Sequence, residues 1–186
     1  MDADAVARLA SESVNCFGRL DVLVNNASAY YPTPFGETTH AQWDETIDSN
    51  VRAAFFLSQA LAAELKQHNG AIINIVDALV DEPFNKHAAY GIAKAGLKSM
   101  TKSLAKELAP QVRVNGVSPG AILWPPGTED DNSEAAIAYR EAVLRQVPLG
   151  TLGTPEDIAK TACFLALDAS YVTGAIIKVD GGRSLT

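Results

Sequence analysis

The chain has 186 residues, of which 47% are hydrophobic and 20% charged, a balance that excludes a disordered polypeptide and suits one folded soluble domain with a core of its own. Its net charge of −7, from 15 basic against 22 acidic side chains, excludes nucleic acid and anionic membrane surfaces as partners, since both recruit clustered Lys and Arg. The run VRAAFFLSQALAAEL is interrupted by Arg52, Ser58, Gln59 and Glu64, and the N-terminus carries acids where a secretory signal carries positive charge, so the expectation is a cytoplasmic protein that neither spans a membrane nor is exported.

Val6, Leu9, Ala10, Ser13 and Phe17 recur at helical spacing, and Gly18 stops the pattern before the apolar run LDVLV at 20–24, which reads as a buried strand. A helix from Thr39 to about Lys66 follows, closed by HNG at 68–70, then AIINIV at 71–76, a β-branched run suited to a strand buried on both faces. The next unit is a helix over 88–109 and VRVNGV at 112–117. After a loop rich in Pro, Gly and Asp come a helix over 134–145, another starting at TPED (154–157), and the strand AIIKV at 175–179. Strands of four to six residues alternating with longer helices predict an α/β, doubly wound, Rossmann-like parallel sheet over residues 1–186 as a single domain.

Ligands of such sheets bind beyond the carboxyl ends of the strands. LDVLV runs into NNAS, AIINIV into Asp77, and VRVNGV into SPGA, so three polar or glycine-bearing termini are predicted to converge on one site. Tyr90 and Lys94, four residues apart, share one helical face. A cation about 4 Å from a phenol contributes roughly 4 kcal/mol at an effective dielectric of 20, which predicts a Tyr90 acidic enough for acid–base work. Cys16 and Cys163 are far apart and show neither disulfide nor metal-ligand spacing, and His40, His68 and His87 read as solvated surface residues. Asp81 and Glu82 read as parts of a loop facing water.

From residue 5 onward the chain resembles the short-chain dehydrogenase/reductase family. The resemblance rests on NNA at 25–27, Asn50, Tyr90 with Lys94, Asn115 followed by PG at 119–120, and TGAIIKVDGG at 173–182, in the family's order and near its spacings. It implies a nicotinamide cofactor, with Tyr90 as acid/base, Lys94 holding the cofactor ribose and lowering the Tyr90 pKa, and Asn50 supporting a water-linked proton relay. It further implies cofactor contacts at Asn26, Ala27, Ser28, Pro119 and Gly120.

Most members carry Ser thirteen residues before the Tyr, whereas here Asp77 stands there. That departure resembles pteridine reductase, as do NNASAYYPTPF and VRVNGVSPG, and implies NADPH (NADH remaining open), a pterin or dihydrofolate substrate stacked on Tyr30, and proton relay between Asp77 and Tyr90. A carboxyl group suits delivery of a proton to a ring nitrogen, where a ketone needs only a polarising hydroxyl. Trp124, Pro125 and Pro126 stand where many relatives carry a cofactor-contacting Thr, which keeps open a carbonyl reductase of another substrate, such as a 3-oxoacyl thioester or a sugar. The family's TGxxxGxG turn, which holds the cofactor pyrophosphate, is absent, and the chain opens at what resembles the third helix, three strands short at its N-terminus. This leaves a third reading, a catalytically silent oligomerising remnant. The apolar stripes of the helices over 40–66 and 88–109 resemble the family's paired-helix interfaces and imply a homotetramer.

Overall fold

In the computed structural model, which describes residues 3–125 and 127–186, four parallel strands form one sheet in the order in which the chain makes them. Helix α1 (Ala3–Phe17) leads to β1 (Val22–Asn25); α2 (His40–Ile47), a π-helical turn (Asp48–Arg52) and α3 (Ala53–Gln67) lead to β2 (Ala71–Ile75). Helix α4 (Ala88–Glu107) precedes β3 (Arg113–Pro119), and α5 (Glu134–Arg145), α6 (Pro155–Cys163) and a second π-helical turn (Phe164–Asp168) precede β4 (Ile176–Val179). A 3₁₀ turn (Arg183–Leu185) follows. This is the α/β Rossmann-like layout that the alternation of strands and helices predicts; Met1, Asp2 and Pro126 lie outside the described residues.

Alternation within each strand sends side chains to two different layers. Leu23, Ile72 and Val114 pack against Ala10 of α1, Leu61 and Leu65 of α3, and Ala105 of α4, while Ile73 and Val117 face Leu165 and Ala169 on the other side. Ile72 and Ile73 are fully buried, and each contributes about 2 kcal/mol by leaving water. Arg113 joins the layers by donating to the carbonyls of Leu165, Ala166 and Ala169, at the end of the second π turn where helical carbonyls lack partners. Thr154 and Asp157 form a reciprocal capping box that starts α6. Strand β1 pairs with β2 on one side alone, and its Val24 is 47% exposed.

The structure departs from the predicted elements in three places. The long helix from Thr39 is interrupted at Asp48–Arg52, because Asn50 there bonds out of the helix to the loop after β1. The first strand begins at Val22 rather than Leu20: Arg19 pairs with Asp21 at 2.5 Å and the Leu20 amide donates to Glu64 Oε1 at 3.3 Å instead of to a strand. Strand β3 continues to Pro119, whose lack of an N–H is harmless at a strand end, and Gly120 N donates to Val179 O at 3.0 Å.

Candidate active site at the carboxyl edge of the sheet

Because all four strands point the same way, their carboxyl ends share one edge. Ala78 N donates to Pro119 O at 3.0 Å, so the segments leaving β2 and β3 are tied together. Gly120 is bare for a structural reason: a Cβ there would lie 2.5 Å from Asp180 Cα. A cavity of about 250 Å³ opens at this edge, lined by Tyr30, Asp77, Tyr90, Pro119 and Gly120 together with Phe84 and Arg183. Five of the predicted site residues therefore meet in one place. Asn26 and Ala27 lie exposed where the chain leaves β1.

Tyr90 sits in the first turn of α4 and Lys94 one turn later, both buried. The Tyr90 hydroxyl donates to Asp77 Oδ2 at 2.8 Å, and the other carboxylate oxygen accepts from Leu79 N at 2.8 Å. Asp77 is thus turned inward, with one oxygen fixing its own turn and the other holding the phenol. Lys94 Nζ donates to Ile75 O at 2.9 Å and stands 5.6 Å from the centre of the Tyr90 ring. The expected direction of the phenol's shift is overturned. Burial, then the Asp77 charge, then its hydrogen bond push the Tyr90 pKa well above the ordinary 10. The ammonium is directed to a carbonyl oxygen, so the charge in contact with the phenol is the carboxylate. Burial lowers the Lys94 pKa to about 8 against the opposing pull of Asp77.

Aromatic rings frame the phenol. Tyr30, 61% exposed, stacks on His87 with centroids 4.5 Å apart and planes 6° from parallel, and meets Tyr90 edge-on at 4.8 Å. Phe84 meets the same ring edge-on at 5.3 Å. His87 is therefore no free surface residue: it is half-buried and fixed by a bridge between Thr33 and His87, with Thr33 N donating to Lys86 O at 2.6 Å. His68 is likewise half-buried, 2.9 Å from Glu64, and Asp81 forms an exposed pair with Lys98 at 2.6 Å.

Asn50, 1% exposed, is tied to the loop after β1. Its amide donates to Ala29 O at 2.9 Å and Thr46 O at 3.0 Å, and its carbonyl accepts from Ser28 Oγ at 2.7 Å. These bonds hold the Ser28–Ala29 segment, and with it Tyr30, over the cavity; none runs to Tyr90 or Lys94. Sequence reasoning also missed a buried polar chain. Asn25 Nδ2 donates to Asn74 Oδ1 at 2.8 Å and to Ser58 Oγ at 3.2 Å, and Asn74 donates to Thr101 at 2.9 Å, tying β1 and β2 to α3 and α4. The signal was there in the equal depth of the two Asn in their strands, since Asn25 and Asn74 are register partners. Arg183 was missed as well.

The residues present fit the ribose and nicotinamide end of a dinucleotide. A buried ammonium has three donors, and Lys94 makes one hydrogen bond among the described residues, which leaves donors for sugar hydroxyls. No glycine-rich TGxxxGxG turn for the pyrophosphate occurs in this sequence. Among the described residues no group of three or more acidic, His or Cys side chains could hold a metal ion, and no helix is long and apolar enough to cross a membrane.

The family model described as "Enoyl-(Acyl carrier protein) reductase" matches residues 1–184. A 3-oxoacyl-[acyl-carrier-protein] reductase of Thermotoga maritima is 38% identical over 184 residues, covering 97% of this chain and 73% of its own length. One from Staphylococcus aureus strain Mu50 is 39% identical with the same coverage. The crystal structure of a Sinorhizobium meliloti 1021 protein, provisionally assigned as a short-chain alcohol dehydrogenase, superposes with a TM-score of 0.89 at 31% identity, over 100% of this chain and 73% of that one. Sequence, sheet order and the convergence of Tyr90, Lys94 and Asp77 on one edge agree: the chain belongs to the short-chain dehydrogenase/reductase family of oxidoreductases.

Proposed function

We propose that the chain is a nicotinamide-dependent carbonyl reductase, with Tyr90 as proton donor, and that 3-oxoacyl compounds rather than pterins are its substrates. The observation that carries the proton-donor role is the 2.8 Å hydrogen bond from the Tyr90 hydroxyl to Asp77 inside the cavity at the sheet edge, and the choice of a carbonyl substrate rests on the named relatives. The shift away from pterin is supported by relatives named 3-oxoacyl reductases at 38% and 39% identity. NADPH is the cofactor that the family resemblance of the sequence favours, with NADH as the competing choice.

When bound, the nicotinamide supplies a hydride to the carbonyl carbon. Tyr90, kept protonated at neutral pH, gives its proton to the carbonyl oxygen as negative charge develops there. The hydroxyl's single hydrogen is held by Asp77 before substrate binds, so it turns from the carboxylate to the carbonyl oxygen for that transfer. A phenolate left beside a carboxylate is unfavourable, and Lys94, with unused donors close to the ring, is the group placed to offset it until the proton is replaced from solvent. The test compares kcat/KM for an acetoacetyl thioester and a dihydropterin. We expect the thioester to be preferred and Asp77→Ser to keep thioester reduction within about tenfold, because a hydroxyl can also orient the phenol. Faster turnover of the dihydropterin, lost in Asp77→Ser, would restore the pterin reading.

A further inference from the structure

The role of Arg183 is unaccounted for by the proton transfer. It stands just past β4 and opens the 3₁₀ turn. Gly181 and Gly182, at φ 61° and 87°, fold the chain so closely on Val147 and Pro148 that a Cβ on Gly181 would lie 2.6 Å from Val147 Cγ1. Asp180 then accepts from Gly182 N and Ser184 N, both at 3.0 Å, so the acid nearest in sequence is engaged with backbone. Among the described residues the guanidinium makes one hydrogen bond, Nη2 to the neutral Gln146 Oε1 at 3.2 Å, while its Nε is buried without a partner.

Arg183 lines the 250 Å³ cavity with Asp77 and Tyr90, and also an adjoining one of about 330 Å³ with Trp124, Tyr139 and Leu123. No carboxylate lies within ion-pair distance of it among the described residues, Asp77 included. Arg183 is a partly buried cation lining a cavity in a chain of net charge −7, with its Nε buried and unpartnered among the described residues, and calls for an anion that the described residues do not supply. The planar fork of guanidinium N–H groups matches a carboxylate. Where the anion occupies the 250 Å³ cavity that Arg183 shares with Tyr90 and Asp77, it and the reacting carbonyl lie within a few bonds of one another. A phosphate at the far end of a pantetheine arm does not meet that condition.

We propose that Arg183 binds a carboxylate of the substrate, which makes the substrate a compact oxo acid with its ketone at Tyr90 and Asp77. This rests on the carbonyl-reductase reading and adds to it the charge of the substrate. Isothermal titration of the full chain with acetoacetate and with methyl acetoacetate, alone and with NADPH, tests it without requiring turnover. The acid is expected to bind at least tenfold more tightly than its ester, with Arg183→Met bringing the two within twofold and Arg183→Lys intermediate. Equal binding of acid and ester by the unsubstituted chain, or binding of neither, overturns the proposal. So does an Arg183→Met variant, folded by circular dichroism, that keeps the preference. Were Arg183 merely an electrostatic counterweight to Asp77, its loss would change reduction of the acid and of a neutral acetoacetyl thioester alike. Reduction of the thioester with no preference for the acid sinks the Arg183 assignment and leaves the carbonyl-reductase reading standing; reduction of neither sinks that reading itself.

Discussion

A lysine held at a pKa of about 8 by burial links the site to folding. Its ordinary value is 10.5, so between these limits the unfolded chain binds the proton more readily than the folded one, and stability rises with pH; below about 8 the cost is fully present. The Tyr90 phenol, shifted upward, acts only above its ordinary 10, where stability it contributes begins to fall. Urea unfolding between pH 8 and 9.5 should therefore show stability climbing by on the order of 1 to 2 kcal/mol, and Lys94→Met should flatten that climb. An unchanged slope in the variant would show that the ammonium titrates normally in the folded chain. Residue chemistry was half legible. Tyr90 and Lys94 were placed on one helical face by their spacing, and Asp77 at a strand end, while the pairing of Asp77 with Tyr90 was legible only through the family resemblance. The sign of the Tyr90 shift was not legible, because it is set first by how deeply the phenol is buried and then by its contact with Asp77, and no local pattern in the sequence reports that depth.

Among the elements, the strands and helices followed from apolar periodicity, whereas the π-helical turn at Asp48–Arg52 did not. Its cause is a contact from Asn50 to Ala29, 21 positions away, and no local pattern reports such a partner. Gly120 is a similar case: it reads as a turn residue, but its function is to let β3 close against Asp180. Gly120→Ala should cost about 1–3 kcal/mol, since the atoms in the way are Asp180 Cα and Cβ at 2.5 and 2.6 Å and cannot rotate aside. A denaturation midpoint equal to that of the unsubstituted chain would mean that the β3–β4 junction is looser than drawn.

For the whole molecule, the exposed faces of α3 and α4 are the strongest clue to assembly. Phe55 and Phe56, 40% and 42% exposed and packed edge-on at 5.3 Å, and Ile92, 53% exposed, are large apolar groups open to solvent, with exposed Ala60, Ala63, Ala88 and Ala95 on the same two helices. Light scattering after size exclusion is expected to return four times the chain mass, and Phe56→Glu to lower it; a monomer in both cases would remove the tetramer. At the opposite margin, β1 has four residues, one neighbouring strand and an uncovered Val24. Cohesion should grade across the sheet accordingly. Amides of β1 are expected to swap their protons for deuterium by local fraying, hundreds of times faster than those of β2 and β3, whose release awaits opening of the entire core.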